Sequence, residues 1–323
     1  MRIPAPAKIN LHLRVGPPRA DGFHPLLTWM VTVGLFDTLV FVRRSLLAAR
    51  RPRGRFSLST DHPDLPTDDR NLVVKVAMAL ADTLERDGPT GPIGEGSTGA
   101  DREGVSAFLA KRIPAGAGLG GGSSDAAAAL VALSAIWRAN WPVQRLAEFA
   151  GRFGSDVPFF FHGPSSICTS RGEIVRPVPR PDISRWAVLV LPKIEMPTPA
   201  VYRRFDEMKL GRERDVTDEP DWNGWSKLPA AELLPRLAND LEAPAFSLKP
   251  ELGELRESLQ QKLSRIVRMS GSGSSLFTLC DEFGQAESLA RQAIDASGVD
   301  AIAVQVAPEI VVGSSGAGAG AKS

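Results

Sequence analysis

The stretch Pro114-Ala-Gly-Ala-Gly-Leu-Gly-Gly-Gly-Ser-Ser-Asp125 limits what this chain can fold into more than any other. Five glycines fall between Gly116 and Gly122, and Ser123, Ser124 and Asp125 lead into the apolar run Ala126 to Trp137. Such a segment reads as a loop almost free of side chains, feeding the N-terminus of a long buried helix. Glycine allows positive φ and lets the backbone approach a ligand closely. A helix start adds unpaired N–H groups and about half a positive charge, which together make an anion site. A phosphate-bearing ligand is the natural occupant.

Other glycine-rich signatures fit less well. Gly116, Gly118 and Gly121 satisfy G-x-G-x-x-G, but Pro114 precedes the loop. No acidic residue closes a second strand about 20 residues later, as a dinucleotide site requires. No Lys-Ser or Lys-Thr pair follows the glycines, which excludes a Walker A loop. The H-R-D and D-F-G triplets of protein kinases are missing. A plain linker would not sit between the strand-like Val105 to Lys111 and a buried helix.

Size allows two domains: the chain has 323 residues, 43% of them hydrophobic, and a net charge of +1. Near-neutral charge argues against nucleic acid as a partner. The one basic cluster (Arg43, Arg44, Arg50, Arg51, Arg53 and Arg55) has only Phe56 beside it for stacking, so it reads as a solvated hairpin or loop. There is no apolar run near 18 residues and no signal-peptide pattern at Met1-Arg2-Ile3-Pro4, giving the expectation of a cytoplasmic protein without a membrane partner. Cys168 and Cys280 are expected to be small buried hydrophobes.

Alternation in Lys8 to Val15 predicts a half-buried strand with one polar face, Lys8, Asn10, His12 and Arg14. Further strands are expected near Trp29 to Val33 and Thr38 to Val42. Asn71 to Leu84 reads as a helix, and Val143 to Phe153 as another. Phe159 to Phe161 is expected to open a buried strand. Gly88 to Gly104 reads as an exposed insertion, and Asp206 to Trp225 as a charged, Trp-containing one. Helical pieces are expected over Ala200 to Phe205 and Ala230 to Leu241. Beyond Trp186 the order becomes β-α-β-β-α-β, a ferredoxin-like split unit. Three prolines between Arg176 and Pro181 suggest a boundary, dividing the chain into 1–178, 179–312 and a disordered Gly/Ala/Ser-rich tail, 313–323.

Three segments recur in order: Pro6-Ala-Lys-Ile-Asn-Leu11, the glycine loop through Ser124, and Met269-Ser-Gly-Ser-Gly-Ser274. In that order and spacing the chain resembles the GHMP small-molecule kinases, such as galactokinase, homoserine kinase and mevalonate kinase. Arg19 to His24, Gly154-Ser-Asp-Val-Pro158 and Met196 to Tyr202 narrow the resemblance to the branch acting on a cytidine-diphosphate-linked methylerythritol. The resemblance implies a two-domain α+β fold. Its N-terminal α/β domain would be ribosomal-protein-S5-domain-2-like, and its C-terminal βαββαβ domain ferredoxin-like.

It also implies roles. Lys8 and Asp156 would be catalytic. Pro114, Ala115, Gly116, Ala117, Gly118, Leu119, Gly120, Gly121, Gly122, Ser123 and Ser124 would hold ATP, with Asn71 and Lys111 near the adenine. Phe23, His24 and Tyr202 would grip the cytosine, while Asn10, Thr198, Gly271, Ser272 and Gly273 would contact other parts of the substrate. ATP carries about four negative charges that a loop of dipoles cannot balance, so Mg²⁺ is expected, with Ser123 or Ser124 as a possible ligand. The acceptor would be the tertiary 2-hydroxyl. Rival readings are another GHMP kinase, such as homoserine kinase, and a catalytically silent sensor of the same fold. One departure stands out: Ser170-Arg-Gly-Glu173 has serine where the family usually carries glycine.

Overall fold

The computed structural model describes residues 1–44, 55–87 and 104–309. Arg50, Arg51 and Arg53, almost all of the 88–104 insertion and the 313–323 tail lie outside them. Two strands form the spine: β1 (Arg2–Val15) pairs antiparallel with β2 (Leu26–Arg44) along its whole length. The two strands expected within 29–42 are one, β2, and at Gly34 the backbone of Gln305 passes so close that a Cβ would meet its nitrogen at 3.2 Å. β3 (Phe56–Thr60) lies parallel to β4 (Gly104–Ala110), which pairs with the second half of β2. The first half of β2 takes β5 (Ser165–Ser170), followed by β6 (Ile174–Pro177).

Helices α1 (Leu72–Arg86), α2 (Gly121–Ile136) and α3 (Val143–Ala150) complete this half. α2 is apolar around nearly its whole circumference since it packs on α1, α3 and β1 together. The three phenylalanines do not open a strand. They form a 3₁₀ turn, Pro158–Phe161, with proline in its first turn and only Phe159 fully buried. The polar face of β1 is not solvated either. Lys8, Asn10 and His12 are buried, since the second half of the chain covers them. There His12 Nδ1 accepts from Ala238 N, and Asn10 N donates to Ser270 Oγ.

The second half runs β7 (Trp186–Val190), α4 (Thr198–Glu207), α5 (Glu213–Thr217), α6 (Trp222–Trp225), α7 (Ala230–Leu233), α8 (Glu242–Leu248), α9 (Pro250–Leu263), β8 (Arg268–Met269), β9 (Leu276–Cys280), α10 (Phe283–Ser297) and β10 (Ala301–Gln305). The sheet order β10-β7-β9-β8 is that of a ferredoxin-like unit, with α9 and α10 as its two helices. The helical piece expected over Ala230 to Leu241 forms only in its first half, as α7 and the 3₁₀ turn that follows it. Pro235 sits in the 3₁₀ turn Leu234–Arg236, and beyond it Asn239 bridges to Leu13 of β1. Within the charged insertion, Trp222 is buried, edge-on to His12 and close to Trp29. Cys168 and Cys280 are both free and buried. Among the described residues, no helix is long and apolar enough to cross a membrane.

Candidate active site

The glycine loop crosses from β4 to α2 and abuts the loop between β8 and β9. At Gly118 (φ 75°) a Cβ would lie 2.3 Å from the Ser270 carbonyl oxygen, so the two backbones meet where no side chain fits. Ser270 Oγ donates to Gly118 O, and Ser275 N donates to Ala117 O. Asn239 braces the second loop by donating from Nδ2 to the carbonyls of Met269 and Gly271. Nothing in the sequence pattern singles out Asn239, because its task is set by a partner 30 residues away.

Gly120 caps α2 in the left-handed region (φ 66°), and its absent Cβ would collide with Lys8 Cγ at 2.8 Å. The first helical hydrogen bond is Ser124 N to Gly120 O. No side chain caps the helix, so the N–H groups of Gly121, Gly122 and Ser123 are left for a ligand. All three residues line a cavity of about 460 Å³ between the two halves. Ser123 lines it and Ser124 does not; the Ser124 hydroxyl is buried without a hydrogen-bond partner.

Across the cavity floor, Lys8 Nζ lies 3.2 Å from Asp156 Oδ2. The lysine is almost enclosed, with 5% side-chain exposure, whereas Asp156 is 33% exposed and lines the cavity. Lys8 Nζ also donates to Asn10 Oδ1 at 2.7 Å, Asn10 Nδ2 donates to Thr28 Oγ1 at 2.8 Å, and Thr28 Oγ1 donates to the His12 carbonyl. That chain fixes the ammonium between the loop and the carboxylate. Asn10, Thr198, Tyr202, Gly271 and Ser272 line the same cavity, and Thr198 Oγ1 shares a 2.7 Å hydrogen bond with Ser272 Oγ. Burial, and after it the Asp156 charge, raises the Tyr202 phenol above its ordinary range. Gly273 lies behind that wall, where a Cβ would meet Met269 Sδ at 2.9 Å.

Neither Phe23 nor His24 lines the cavity; His24 packs on Tyr202, which does. Phe23 is 49% exposed at the surface. His24 is buried against Tyr202 (centroids 5.3 Å apart) and Phe205, with Nδ1 at 2.9 Å from Gly16 O and Nε2 at 3.3 Å from Asp206.

Asn71 and Lys111, expected beside the adenine, are occupied elsewhere. Asn71 caps α1 by accepting from Val73 N, and only its neighbour Leu72 reaches the cavity. The Lys111 ammonium donates to Asp37 Oδ2 and, at 3.0 Å, to Asp125 Oδ2. Asp37 also accepts from the backbone N–H groups of Arg112 and Ile113. Burial pushes the Asp125 carboxyl up to about 7, against the pull of Lys111. Burial works against the Lys111 charge, yet the two carboxylates outweigh it and raise its pKa. This cluster lies behind the peptide of Gly121, whose Cβ would sit 2.9 Å from Lys111 Nζ. Asp37 and Asp125 escape sequence reasoning because nothing local marks them as partners.

Among the described residues there is no cluster of three or more His, Cys, Asp or Glu that could hold a metal. Magnesium is commonly held by one or two protein oxygens together with substrate phosphates. The Ser123 hydroxyl beside the helix start fits that arrangement.

Comparisons with known proteins give the family. Family models described as GHMP kinases N terminal domain and GHMP kinases C terminal match residues 71–164 and 227–299. A 4-diphosphocytidyl-2-C-methyl-D-erythritol kinase of Nocardioides sp. (strain ATCC BAA-499 / JS614) is 37% identical, over 88% of this chain and 90% of its own. One of Synechococcus sp. (strain CC9902) is 36% identical, over 92% of each. A crystal structure of 4-(cytidine 5'-diphospho)-2C-methyl-D-erythritol kinase superposes with a TM-score of 0.70 at 34% identity, covering 96% of this chain and 100% of that one. Homoserine kinase from Cytophaga hutchinsonii shares the fold at 16% identity, with a TM-score of 0.62 over 94% of each chain. With the nucleotide-type loop and the lysine–aspartate pair in one cavity, the chain belongs to the GHMP kinases and, within them, to the 4-diphosphocytidyl-2-C-methyl-D-erythritol kinase family.

Proposed function

We propose that this protein transfers the γ-phosphoryl group of ATP to the 2-hydroxyl of 4-diphosphocytidyl-2-C-methyl-D-erythritol, giving the 2-phosphate and ADP, in the non-mevalonate isoprenoid pathway. The observation that carries the reading is the shared cavity. Free N–H groups at the start of α2 and the Asp156 carboxylate face one space, with Lys8 in contact with both sides. The domains are taken as 1–178 and 179–312, with the cavity between them. The protein works in the cytoplasm.

The nucleotide's phosphates lie along Gly116 to Ser123, where the backbone dipoles and the helix start offset part of their charge. The Ser123 hydroxyl would hold magnesium brought in with ATP, which would supply further charge compensation. The acceptor oxygen attacks phosphorus, the bond to the ADP oxygen breaks, and the hydroxyl proton passes to Asp156. A carboxylate is a feeble base toward an alcohol, but the transition state is loose and deprotonation comes late, so Asp156 chiefly aims the oxygen. Lys8 holds Asp156 in place and offsets charge on the transferring group. Thr198, Ser272 and Asn10 meet the substrate's polar groups. Tyr202 and Phe23 flank the cytosine and His24 meets its polar edge; base stacking of this kind is worth about 1–3 kcal/mol.

The test is ADP release with purified protein and a panel of alcohols. Turnover should be highest with the cytidylyl compound. Equal or faster turnover of homoserine or mevalonate would overturn the substrate assignment.

A further inference from the structure

Arg171 stands at the tip of the β5–β6 hairpin, with its guanidinium carbon 4.9 Å from the centre of the Phe23 ring. A single exposed phenylalanine needs no explanation. What surrounds this one does, because the ring and its backbone are tied to the same turn.

Arg171 is held from below: its backbone N–H donates to Glu173 Oε2 at 2.8 Å and its Nε to Glu173 Oε1 at 3.4 Å. Ser170 donates to that carboxylate at 3.2 Å and accepts from Arg19 Nη1 at 3.4 Å. Arg19 in turn closes the loop that carries Phe23, with Arg19 N donating to Phe23 O at 2.8 Å and its guanidinium paired with Asp21. Ser170 makes these contacts from a left-handed backbone (φ 60°), so a side chain is retained where glycine would be unstrained. The turn itself rests on the active centre. A Cβ on Gly172 would lie 3.6 Å from Ser155, the residue before Asp156, and 3.9 Å from Leu26 of the cavity wall.

We propose that Arg171 is a positioning residue for the pyrimidine end of the substrate: it backs one face of Phe23, leaving the other face to stack on the base. The inference rests on the cytidylyl reading above. A guanidinium suits this place since it stacks flat on an aromatic face while its edge keeps its carboxylate partner.

Steady-state kinetics on wild type, Arg171→Ala, Phe23→Ala and the double variant test it. Arg171→Ala should raise KM for the cytidylyl substrate about two- to fivefold, the scale of an exposed cation–π contact. KM for ATP and kcat should stay within about twofold, Arg171→Lys should recover part of the loss, and Arg171→Ala should add nothing in the Phe23→Ala background. An unchanged KM, or equal losses for both substrates, would overturn the inference. So would additive losses in the double variant, which would put the guanidinium on the substrate's diphosphate instead. A wild type that leaves the cytidylyl compound unphosphorylated would instead sink the substrate reading and this inference together.

Discussion

Two buried lysines flank the glycine loop, and the contrast between them separates chemistry from framework. Lys8 and Lys111 each keep 5% side-chain exposure, and each meets a carboxylate. Lys111 is closed in: Asp37 and Asp125 have 0% and 3% side-chain exposure, and the trio ties β2 to the first turns of α2. Lys8 is closed in on one side only, because its partner Asp156 opens to the cavity. A charge that touches only buried partners can hold a loop. One whose partner meets solvent can also meet a substrate. Nearness to the glycine loop in sequence is no guide: Lys111 precedes it closely, whereas Lys8 meets it only through the fold.

Substituting each lysine sharpens the contrast. Lys8→Met should lower kcat by about 10²- to 10³-fold, the range for losing a charge that stabilises the transition state, while leaving most of the stability. Near-wild-type turnover would break the comparison at its catalytic end. Lys111→Met leaves two buried carboxylates without a cation and should cost about 3–5 kcal/mol of stability in denaturant titrations. If the midpoint hardly moved, the trio would not be structural.

A third buried cation-former, His12, makes the same point through pH. Burial, with Arg14 and Arg268 nearby, lowers its pKa from 6.5 to about 3. The native state therefore binds the proton more weakly than the unfolded chain. Its contribution to stability is full above about pH 6.5 and lost as pH falls toward 3, at about 1.4 kcal/mol per pH unit. His12→Asn should flatten that acid limb of the stability curve; an unchanged slope would remove His12 as its source. The smallest effect is at Gly120, where Ala must take positive φ beside Lys8. Gly120→Ala should cost about 1–2 kcal/mol of stability and raise KM for ATP. Unaltered ATP kinetics would mean that the cap geometry is not needed for binding.

Local chemistry in the sequence makes much of this fold legible. Whereas Lys8 is marked only by the family resemblance, the glycine loop and the ferredoxin-like order are readable from pattern because each depends on its near neighbours. Partnerships across the chain are not. The polar face of β1 is buried since Ala238 and Ser270 cover it, and Trp222 leaves its charged segment for the core near Trp29. The phenylalanine run coils into a 3₁₀ turn although its composition suits a strand. Lys111 matches a position near the adenine only by resemblance, and its pairing with Asp37, 74 residues away, is visible only in the fold.

Asp156→Asn gives the most direct trial of the whole account, in single-turnover phosphoryl transfer at saturating ATP and cytidylyl substrate. The side chain keeps its shape and loses its charge and its capacity to take a proton. The transfer rate should fall by about 10²-fold or more, with nucleotide affinity within about twofold of wild type. Transfer at close to the wild-type rate would mean that Asp156 does not aim the acceptor hydroxyl.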